Sequence, residues 1–402
     1  MGLSCKPGSV GGVYRHNTEG LGDLSALVRH DCPVCFDRDQ SGDPRAENVR
    51  DLTNVVGDPR KLCMNCGHLW RTRAQAFDYA SAGDMCALQE GSERLLHQAD
   101  FIFQHLPHTK TLLEVGCASG GLGRFVKSQY KVARYDGIEI SPAASIAEKW
   151  LDHVWRAPLG DPQLAQSMAD ASYDCIIYSH VMEHLEDIRG EIRKAAALLK
   201  EGGALYIEVP HKSGTKGLPY DYNPAHLHFY SASSLSMLLL NEGLIVDRIR
   251  SDGKLDGRYN QCLRVIGKKI APPTDFDNLL AKPLEAMGLG DFILWGCGGS
   301  SEQVIKHYLN TDRLAFSIDK NLELQGAKYL GRDVHAPREL VHYPDHGVLI
   351  SSIDYEAQIR DEIHTISPGH PGRIVGIKDL MACAGSLSMS GAARTSGSQS
   401  RH

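Results

Sequence analysis

Four cysteines form two tight pairs, Cys32-Pro-Val-Cys35 and Cys63-Met-Asn-Cys66, with 27 residues between the pairs. A two-residue gap lets both thiolates of a pair face one ion, and Zn²⁺ prefers four such ligands in a tetrahedron. The other cysteines are scattered, as is typical of a reducing compartment rather than of a disulfide framework. The pairs therefore predict one structural zinc held by Cys32, Cys35, Cys63 and Cys66. His68 is a lower-ranked substitute for one ligand, and small buried hydrophobic side chains are the alternative to a metal site.

A second chemical signal is the stretch from residue 112 to 123, Leu-Leu-Glu-Val-Gly-Cys-Ala-Ser-Gly-Gly-Leu-Gly. An apolar strand runs into a glycine-rich turn and then into a helix, whose first N–H groups are open to a ligand. The spacing of Glu114, Gly116 and Gly120 differs from the dinucleotide fingerprint, in which three glycines follow one another as G-x-G-x-x-G. A carboxylate at Glu114 repels a pyrophosphate but suits a ligand with an ammonium group.

A second acidic residue, Glu139, lies at the end of the next predicted strand, nineteen residues after Gly120. A carboxylate at that place is suited to hold the two hydroxyls of a ribose. A cationic amino-acid end together with a ribose that carries no phosphate describes S-adenosylmethionine (SAM). The residues of the turn therefore predict SAM as the cofactor.

Alternating apolar runs and amphipathic segments supply the elements that must position these residues. Strands are predicted at Thr111–Val115, Tyr135–Ile140, His153–Arg156, Tyr173–Tyr178 and Ala204–Val209, and helices at Gly123–Gln129, Ala143–Leu151 and Arg189–Leu199. A shorter alternation follows, with strands at Phe292–Trp295, Leu314–Asp319 and Gly347–Ile350. Both patterns are typical of parallel sheets wound with helices, so the predicted fold class is α/β.

The length of 402 residues suits several domains, and 42% hydrophobic residues can bury a sizeable core. We predict a loose N-terminal segment (1–30), a zinc-binding module (31–75), a SAM domain (76–270), a smaller α/β domain (271–381) and a disordered tail (382–402). A net charge of −6 disfavours a general nucleic-acid partner. No apolar run reaches the ~20 residues of a membrane span and no secretory signal is visible, which favours the cytoplasm.

Four motifs in order resemble class I SAM-dependent methyltransferases, which have a Rossmann-like core. They are residues 114–120, 137–141, 173–186 and 202–210. The resemblance implies cofactor contacts from the glycine turn and the following strand ends, and Asp161 is expected to meet the adenine amino group. His180 is expected to form a wall of the cofactor pocket. The full predicted set is Glu114, Gly116, Ala118, Ser119, Gly120, Glu139, Ile140, Ser141, Asp161, Ser179 and His180.

The order of a four-cysteine module, a methyltransferase core and a C-terminal α/β unit resembles the deoxysugar C-methyltransferase family, over about residues 31–370. Members of that family deprotonate a nucleotide-linked keto sugar, and the enolate attacks the methyl group. The resemblance implies catalytic roles for His226, His184 and Tyr79. The family's Tyr-x-Glu-His run departs here, because the Tyr and Glu positions hold Asn223 and Ala225.

The predicted function is therefore methyl transfer from SAM to a small molecule, a nucleotide sugar or a sugar-containing natural product, with carbon as the favoured acceptor. Oxygen or nitrogen is the alternative, since a lone histidine suffices to take a proton from such an acceptor. A zinc and SAM-fold binding module without catalysis is a third interpretation. His228 is expected to pack or cap, and the expected assembly is a monomer or homodimer.

Overall fold

The computed structural model describes most of the central and C-terminal chain and short pieces of the N-terminal region. The described residues are 32–34, 49–52, 60–63, 66–71, 93–168, 172–211, 225–253, 262–269, 280–297, 309–352, 355–381 and 383. The predictions for residues 1–30, Cys35, Tyr79 and Asn223, and for nearly all of the tail, lie outside these residues.

A seven-stranded sheet forms the centre of the molecule. Its strands are β4 (Thr111–Val115), β5 (Arg134–Ile138), β6 (His153–Trp155), β7 (Tyr173–Ser179), β8 (Leu199–Pro210), β10 (Leu244–Gly253) and β11 (Cys262–Lys269). The spatial order is β10-β11-β8-β7-β4-β5-β6. Strands β4 to β8 are parallel, whereas β11 runs antiparallel to both of its neighbours. The predicted α/β class is confirmed, and β4 has the predicted bounds.

Helices connect these strands. They are α1 (Glu93–His105), α2 (Gly121–Gln129), α3 (Ala144–Ala147), α4 (Pro162–Ser167), α5 (Ile188–Leu198) and α6 (Ala232–Asn241). Helix α1 buries Leu95, Ala99 and Ile102, whose spacing places them on one face of the helix. Helix α3 is shorter than the predicted Ala143–Leu151, because the chain continues through turns to the buried Leu151.

The strand order creates one switch point. Strands β5 and β6 follow β4 on one side of it, whereas the next two strands in the chain, β7 and β8, lie on the other side of β4. Loops that leave the carboxyl ends of β4 and β7 therefore diverge and open a crevice, which is where ligands of such sheets bind.

A smaller sheet links the cysteine region to the central domain. It contains β1 (Val49–Leu52), β2 (Arg60–Cys63), β3 (Leu69–Arg71) and β9 (His228–Phe229), in that order. Strand β9 lies within the predicted SAM domain and pairs antiparallel with β3. The cysteine region therefore shares a sheet with the segment that follows His226.

The C-terminal unit repeats the central plan on a smaller scale. Its strands are β12 (Phe292–Trp295), β13 (Leu314–Ile318), β14 (Lys328–Tyr329), β15 (Arg332–His335), β16 (Gly347–Ile350) and β17 (Ile374–Gly376), accompanied by α7 (Ala281–Ala286) and α8 (Glu356–Ile366). The order is β14-β15-β13-β12-β16-β17, with all pairs parallel except the hairpin of β14 and β15. The predicted bounds of β12 and β16 are confirmed. Within the described residues, no helix has the length and apolarity to cross a membrane.

Candidate active site

The glycine turn leaves β4 in a left-handed backbone conformation. Gly116 has φ +74° and Gly120 has φ +79°, and Ala118 between them has φ +48°. Gly116 donates its N–H to the carbonyl of Ile138 at 2.8 Å, which fixes the turn against β5. A Cβ on Gly116 would lie 2.5 Å from Val181, so this place has room only for glycine.

Glu139 follows β5 and holds the turn through its carboxylate. One oxygen accepts the N–H of Ala118 at 2.8 Å, and the other accepts the N–H of Ser141 at 2.7 Å. The side chain of Ile140, between them, is 43% exposed. The carboxylate therefore lies beside the glycine turn at the switch point, where the sequence predicts a ribose.

Glu114 lies on β4, two residues before Gly116, and is buried. Its carboxylate accepts a hydrogen bond from the Tyr135 hydroxyl at 2.9 Å. Burial raises the pKa of Glu114 to about 8, although the Tyr135 hydrogen bond and the Arg94 charge oppose this effect. A carboxyl group whose pKa lies near neutral pH loses its proton readily when a cation binds beside it. This property suits the predicted ammonium group of SAM.

Asp161 lies at the start of α4, where its carboxylate caps the helix. One oxygen accepts the N–H groups of Gln163 at 2.8 Å and Leu164 at 3.0 Å. Such a cap satisfies backbone N–H donors at a helix start, and it is enough to explain an aspartate at this position without a ligand. The predicted contact of Asp161 with adenine remains a prediction.

A buried ion network lies beside the turn, at the carboxyl end of β8. Glu208 accepts hydrogen bonds from Gln98 at 2.7 Å, from Arg264 at 2.5 Å and from the hydroxyl of Tyr206 at 2.9 Å. Arg94 lies 3.3 Å from the same carboxylate. Burial alone would raise the pKa of Glu208, but the hydrogen bond from His180 and the arginine charges lower it far below its ordinary value.

Ser179 and His180 join β7 to this network. The Ser179 hydroxyl accepts hydrogen bonds from Arg94 and Gln98 on α1, at 3.1 and 2.8 Å. His180 has φ +57°, and its ring lies 3.3 Å from Glu208 and 3.2 Å from Glu183. Burial favours the neutral ring, yet the hydrogen bonds to Cys262, Glu183 and Glu208 raise the pKa of His180 well above its ordinary value. His180 is therefore a fixed cation at the edge of the crevice.

The two predicted catalytic histidines lie together. The rings of His184 and His226 meet edge to face with centroids 4.6 Å apart. Nδ1 of His184 lies 3.1 Å from the carbonyl of Ala225, and His226 is fully buried. Burial lowers the pKa of His184, so this ring is neutral at neutral pH. The structure thus brings two residues that are 42 positions apart to the same edge of the sheet.

The loop that carries His226 is bound on both sides. Arg71 on β3 donates to the carbonyl of His226 at 2.6 Å, and Leu227 donates its N–H to the carbonyl of Glu183 at 2.7 Å. His228 bonds to His68 at 3.0 Å and to the carbonyl of Leu185 at 2.9 Å. This contact with the backbone agrees with the packing role predicted for His228.

Three of the predicted zinc ligands lie together. The sulfur atoms of Cys32, Cys63 and Cys66 are within 4.8 Å of one another, and those of Cys32 and Cys66 are 3.6 Å apart. Two thiolates on one tetrahedral Zn²⁺ are separated by about 3.8 Å, so the spacing fits the metal. Gly67, with φ +71°, donates its N–H to the carbonyl of Cys63 and closes the knuckle turn.

Sequence reasoning missed several residues of the site. They are Arg94, Gln98, Glu183, Glu208, Cys262 and Arg264. Glu208 carried the clearest signal, because an acidic residue inside the apolar run Ala204–Val209 must find a buried partner. Its partners come from α1 and β11, and no spacing along the chain connects them to β8.

The comparisons with known proteins agree with this geometry. Residues 88–248 match the family described as "Methyltransferase domain". The probable S-adenosylmethionine-dependent methyltransferase Rv3030 of Mycobacterium tuberculosis is 28% identical over 140 residues, which are 34% of this chain and 49% of the relative. The chain therefore spans about half the length of that relative.

Two solved structures are similar at a lower level. The 1,6-didemethyltoxoflavin-N1-methyltransferase of Burkholderia thailandensis, with bound S-adenosylhomocysteine, is 14% identical, with a TM-score of 0.35 over 44% of this chain and 79% of that chain. The N-methyltransferase NodS of Bradyrhizobium japonicum WM9 is 16% identical, with a TM-score of 0.34 over 45% and 87%. Likeness at this level does not extend to the acceptor of the methyl group.

The central sheet, its glycine turn and the matched family together define the class. Residues 88–248 match the methyltransferase-domain family, and the central sheet has the Rossmann-like fold of class I SAM-dependent methyltransferases. The donors and carboxylates of the turn fit the cofactor that this class uses.

Proposed function

We propose that the chain transfers the methyl group of SAM to a small acceptor that contains a sugar, with carbon as the favoured acceptor atom. The observation that carries the proposal is the juxtaposition of the His184–His226 pair and the glycine turn at one edge of the sheet. A base near the cofactor crevice is what an acceptor with a proton to lose requires.

Glu139 and the turn around Ala118 are the groups that would hold the cofactor. When bound, SAM supplies an electrophilic methyl group on a positively charged sulfur. His226 or His184 takes the proton from the acceptor. The acceptor's electron pair then forms the new bond to the methyl carbon, and the pair of the broken S–C bond stays on sulfur.

The same histidine pair also suits an oxygen or nitrogen acceptor. Methylation of a hydroxyl or amine needs only removal of a proton, whereas a carbon acceptor also needs a group that stabilises the enolate. Ala225 occupies the position where the deoxysugar C-methyltransferase family, which this chain resembles, has a glutamate. Carbon stays the favoured acceptor because of the resemblance to the deoxysugar C-methyltransferase family, and oxygen or nitrogen is the direct alternative.

A nucleotide-linked sugar is the proposed substrate class. Arg60 and Arg71 on neighbouring strands of the cysteine sheet both lie over the ring of Phe229, one residue after His228. Guanidinium groups favour phosphate, so this positive edge beside the histidine loop suits a diphosphate. The C-terminal α/β unit is proposed to serve as a platform for the rest of the substrate.

The decisive experiment locates the transferred methyl. Candidate nucleotide sugars are incubated with isotopically labelled SAM, and the product is analysed by mass spectrometry with fragmentation. A label on a sugar carbon supports the leading proposal, and a label on oxygen or nitrogen supports the alternative. SAM binding without transfer to any class of sugar acceptor contradicts the proposed substrate.

The base is tested with His226→Ala and His184→Ala at saturating SAM. Because general-base catalysis contributes about 10²–10⁴-fold, His226→Ala should lower turnover by that order while SAM binding stays nearly intact. Turnover near the wild-type value in both variants would show that neither ring takes the proton.

We also propose one structural zinc ion at the cysteine pairs. Elemental analysis should find one zinc per chain, and Cys32→Ser should lose it and unfold the β1–β3 region, since structural zinc is coupled to folding. Cys383→Ser, which changes a cysteine far along the chain, is the matched control and should keep the metal. A folded, active protein without metal would contradict this assignment.

A further inference from the structure

Glu183 lies between two histidines with different charges. It belongs to the short 3₁₀ turn Met182–His184, which begins three residues after the end of β7. Its carboxylate oxygen Oε1 is 3.2 Å from Nδ1 of His180 and 4.0 Å from Nε2 of His184. Glu183 thus contacts the His180 cation on one side and approaches the His184–His226 pair on the other.

Neither carboxylate oxygen of Glu183 has a well-oriented hydrogen-bond partner among the residues that the structure describes, and Oε1 only faces the His180 ring at 3.2 Å. The side chain is only 1% exposed. Burial alone would raise the pKa of Glu183, but the hydrogen bond and charge of His180, with the charges of His184 and His226, lower it to about 2. A buried, ionised and incompletely bonded carboxylate is costly, and such costs are typical of functional sites.

The surroundings show that this charge faces the histidine pair. The charged and titratable groups that face the pair or Glu183 are His180 after β7, Tyr230 after β9 and Arg71 on β3. Glu208, Cys262, Arg264 and Arg94 surround His180 on the far side from the pair. The charge of Glu208 is matched by Arg94 and Arg264. Glu183 is paired with His180 on one side, and within the described residues it is the carboxylate that lies nearest to His184, at 4.0 Å.

We propose that Glu183 is a positioning residue that stabilises the protonated form of the His184–His226 pair during methyl transfer. Its carboxylate supplies the negative charge that Ala225, next to the base, cannot supply. When the acceptor's proton moves onto a ring, the new imidazolium lies beside an ionised carboxylate, as in other base–carboxylate arrangements. The inference rests on the proposed function, since it assigns a partner to the base of that reaction.

The test replaces Glu183 by Gln, which keeps shape and removes charge. We expect turnover at saturating SAM to fall by about 10²–10³-fold, within the range that loss of a base's carboxylate partner causes. The acidic limb of the turnover profile should move to lower pH, because removal of the carboxylate lowers the pKa of the pair. Glu183→Asp keeps the charge and should recover part of both effects.

Two controls separate this role from a purely structural one. Glu191→Gln removes a partly buried carboxylate on α5, which accepts a hydrogen bond from Tyr178 on β7, and should leave the acidic limb unchanged. SAM affinity measured by calorimetry should be the same in wild type and Glu183→Gln. NMR titration of the histidine rings gives a readout that needs no acceptor: the pKa of His184 or His226 should fall in Glu183→Gln.

Three results would overturn the inference. Wild-type turnover with an unchanged acidic limb in folded Glu183→Gln is one, and equal loss in the Gln and Asp variants is another. The third is a metal ion beyond that of the cysteine pairs that is lost in Glu183→Gln, because Glu183, His184 and His226 lie within 4.8 Å and would then be its ligands. Absence of methyl transfer in wild type would contradict the proposed function alone, because the NMR titration still tests Glu183.

Discussion

The molecule contains the same strand, glycine turn and second strand twice, once in the central sheet and once in the C-terminal unit. In the central sheet Gly116 donates to the carbonyl of Ile138, and in the C-terminal unit Gly296 donates to that of Ile318, both at 2.8 Å. An acidic residue follows the second strand in each unit. Asp319 accepts the N–H groups of Cys297 at 2.7 Å and Asn321 at 2.8 Å, as Glu139 does with Ala118 and Ser141.

The two regions differ in the groups around this shared frame. The central strand presents buried Glu114 two residues before its first glycine, whereas Leu294 holds the equivalent place in the C-terminal unit. At the adjacent strand the central sheet has Ser179 and His180 in an ion network, but the C-terminal unit has Ser351, whose hydroxyl donates to the carbonyls of Trp295 and Gly296.

This difference teaches that the glycine turn and its carboxylate are properties of the fold, shared by both units. The chemistry depends on the groups that the central unit adds: a carboxyl group with a raised pKa at Glu114, a histidine cation at His180 and the His184–His226 pair. A motif search that stops at the turn would treat the two units alike.

The strongest way to break the comparison is to substitute both first glycines. Gly116→Ala and Gly296→Ala each force a Cβ into a positive-φ position, 2.5 Å from Val181 or 2.6 Å from Ser351. Backbone strain and overpacking together should cost about 2–5 kcal/mol of stability in either unit. Only Gly116→Ala should also abolish SAM binding, because the displaced turn is the proposed cofactor site.

Thermal melts and calorimetric titration with SAM measure the two effects separately. A strong loss of SAM affinity in Gly296→Ala at unchanged central-domain folding would mean that the C-terminal turn takes part in cofactor binding. That outcome would remove the distinction between the two units.

A second prediction uses Glu114, which the C-terminal unit lacks. The pKa of Glu114 is about 8 because of burial, so the carboxyl group is mostly protonated at neutral pH. A cationic ligand favours the ionised form, and affinity should therefore rise with pH up to about 8, by at most tenfold per pH unit for one proton. The measurement is SAM affinity between about pH 6 and pH 8.

Glu114→Gln is the matched variant, because it cannot ionise. Its SAM affinity should change less with pH over that window than the wild-type affinity does. Parallel curves for the two proteins would mean that Glu114 stays protonated in the complex.

A smaller effect is expected from Tyr135→Phe, which also tests whether the charge of Glu114 controls SAM affinity. The Tyr135 hydroxyl donates to Glu114 at 2.9 Å and lowers the pKa of that carboxyl group. Its removal should move the rise of SAM affinity to higher pH, and affinity at neutral pH should fall a fewfold, as expected for one hydrogen bond. A curve at the wild-type position would show that the Tyr135 hydrogen bond does not control the charge of Glu114.

Local patterns in the sequence were sufficient for the frame of both units. The apolar runs at Thr111–Val115, Phe292–Trp295 and Gly347–Ile350 have the predicted bounds, because buried parallel strands flanked by glycine leave little ambiguity. The pairing of β3 with β9 was not predictable, since it joins residues 69–70 to residues 228–229 and nothing in either segment marks the other.

The site was predictable only where one segment carries the information. The glycine turn and Glu139 fall within 25 residues of one another, so their spacing was informative. The network of Arg94, Glu208 and Arg264 joins three distant elements, and Glu183 gains its meaning from His226, which lies 43 positions later. Tertiary packing alone brings such groups together.

The central claim is that SAM binds at the central turn, with Glu139 at its ribose, and not at the similar C-terminal turn. Calorimetric titration of SAM into wild type, Glu139→Ala and Asp319→Ala tests the claim most directly. Loss of charge-assisted hydrogen bonds to the ribose should weaken binding to Glu139→Ala by about 1–3 kcal/mol, while Asp319→Ala keeps the wild-type affinity. Unchanged affinity in Glu139→Ala, or an equal loss in Asp319→Ala, would contradict the account.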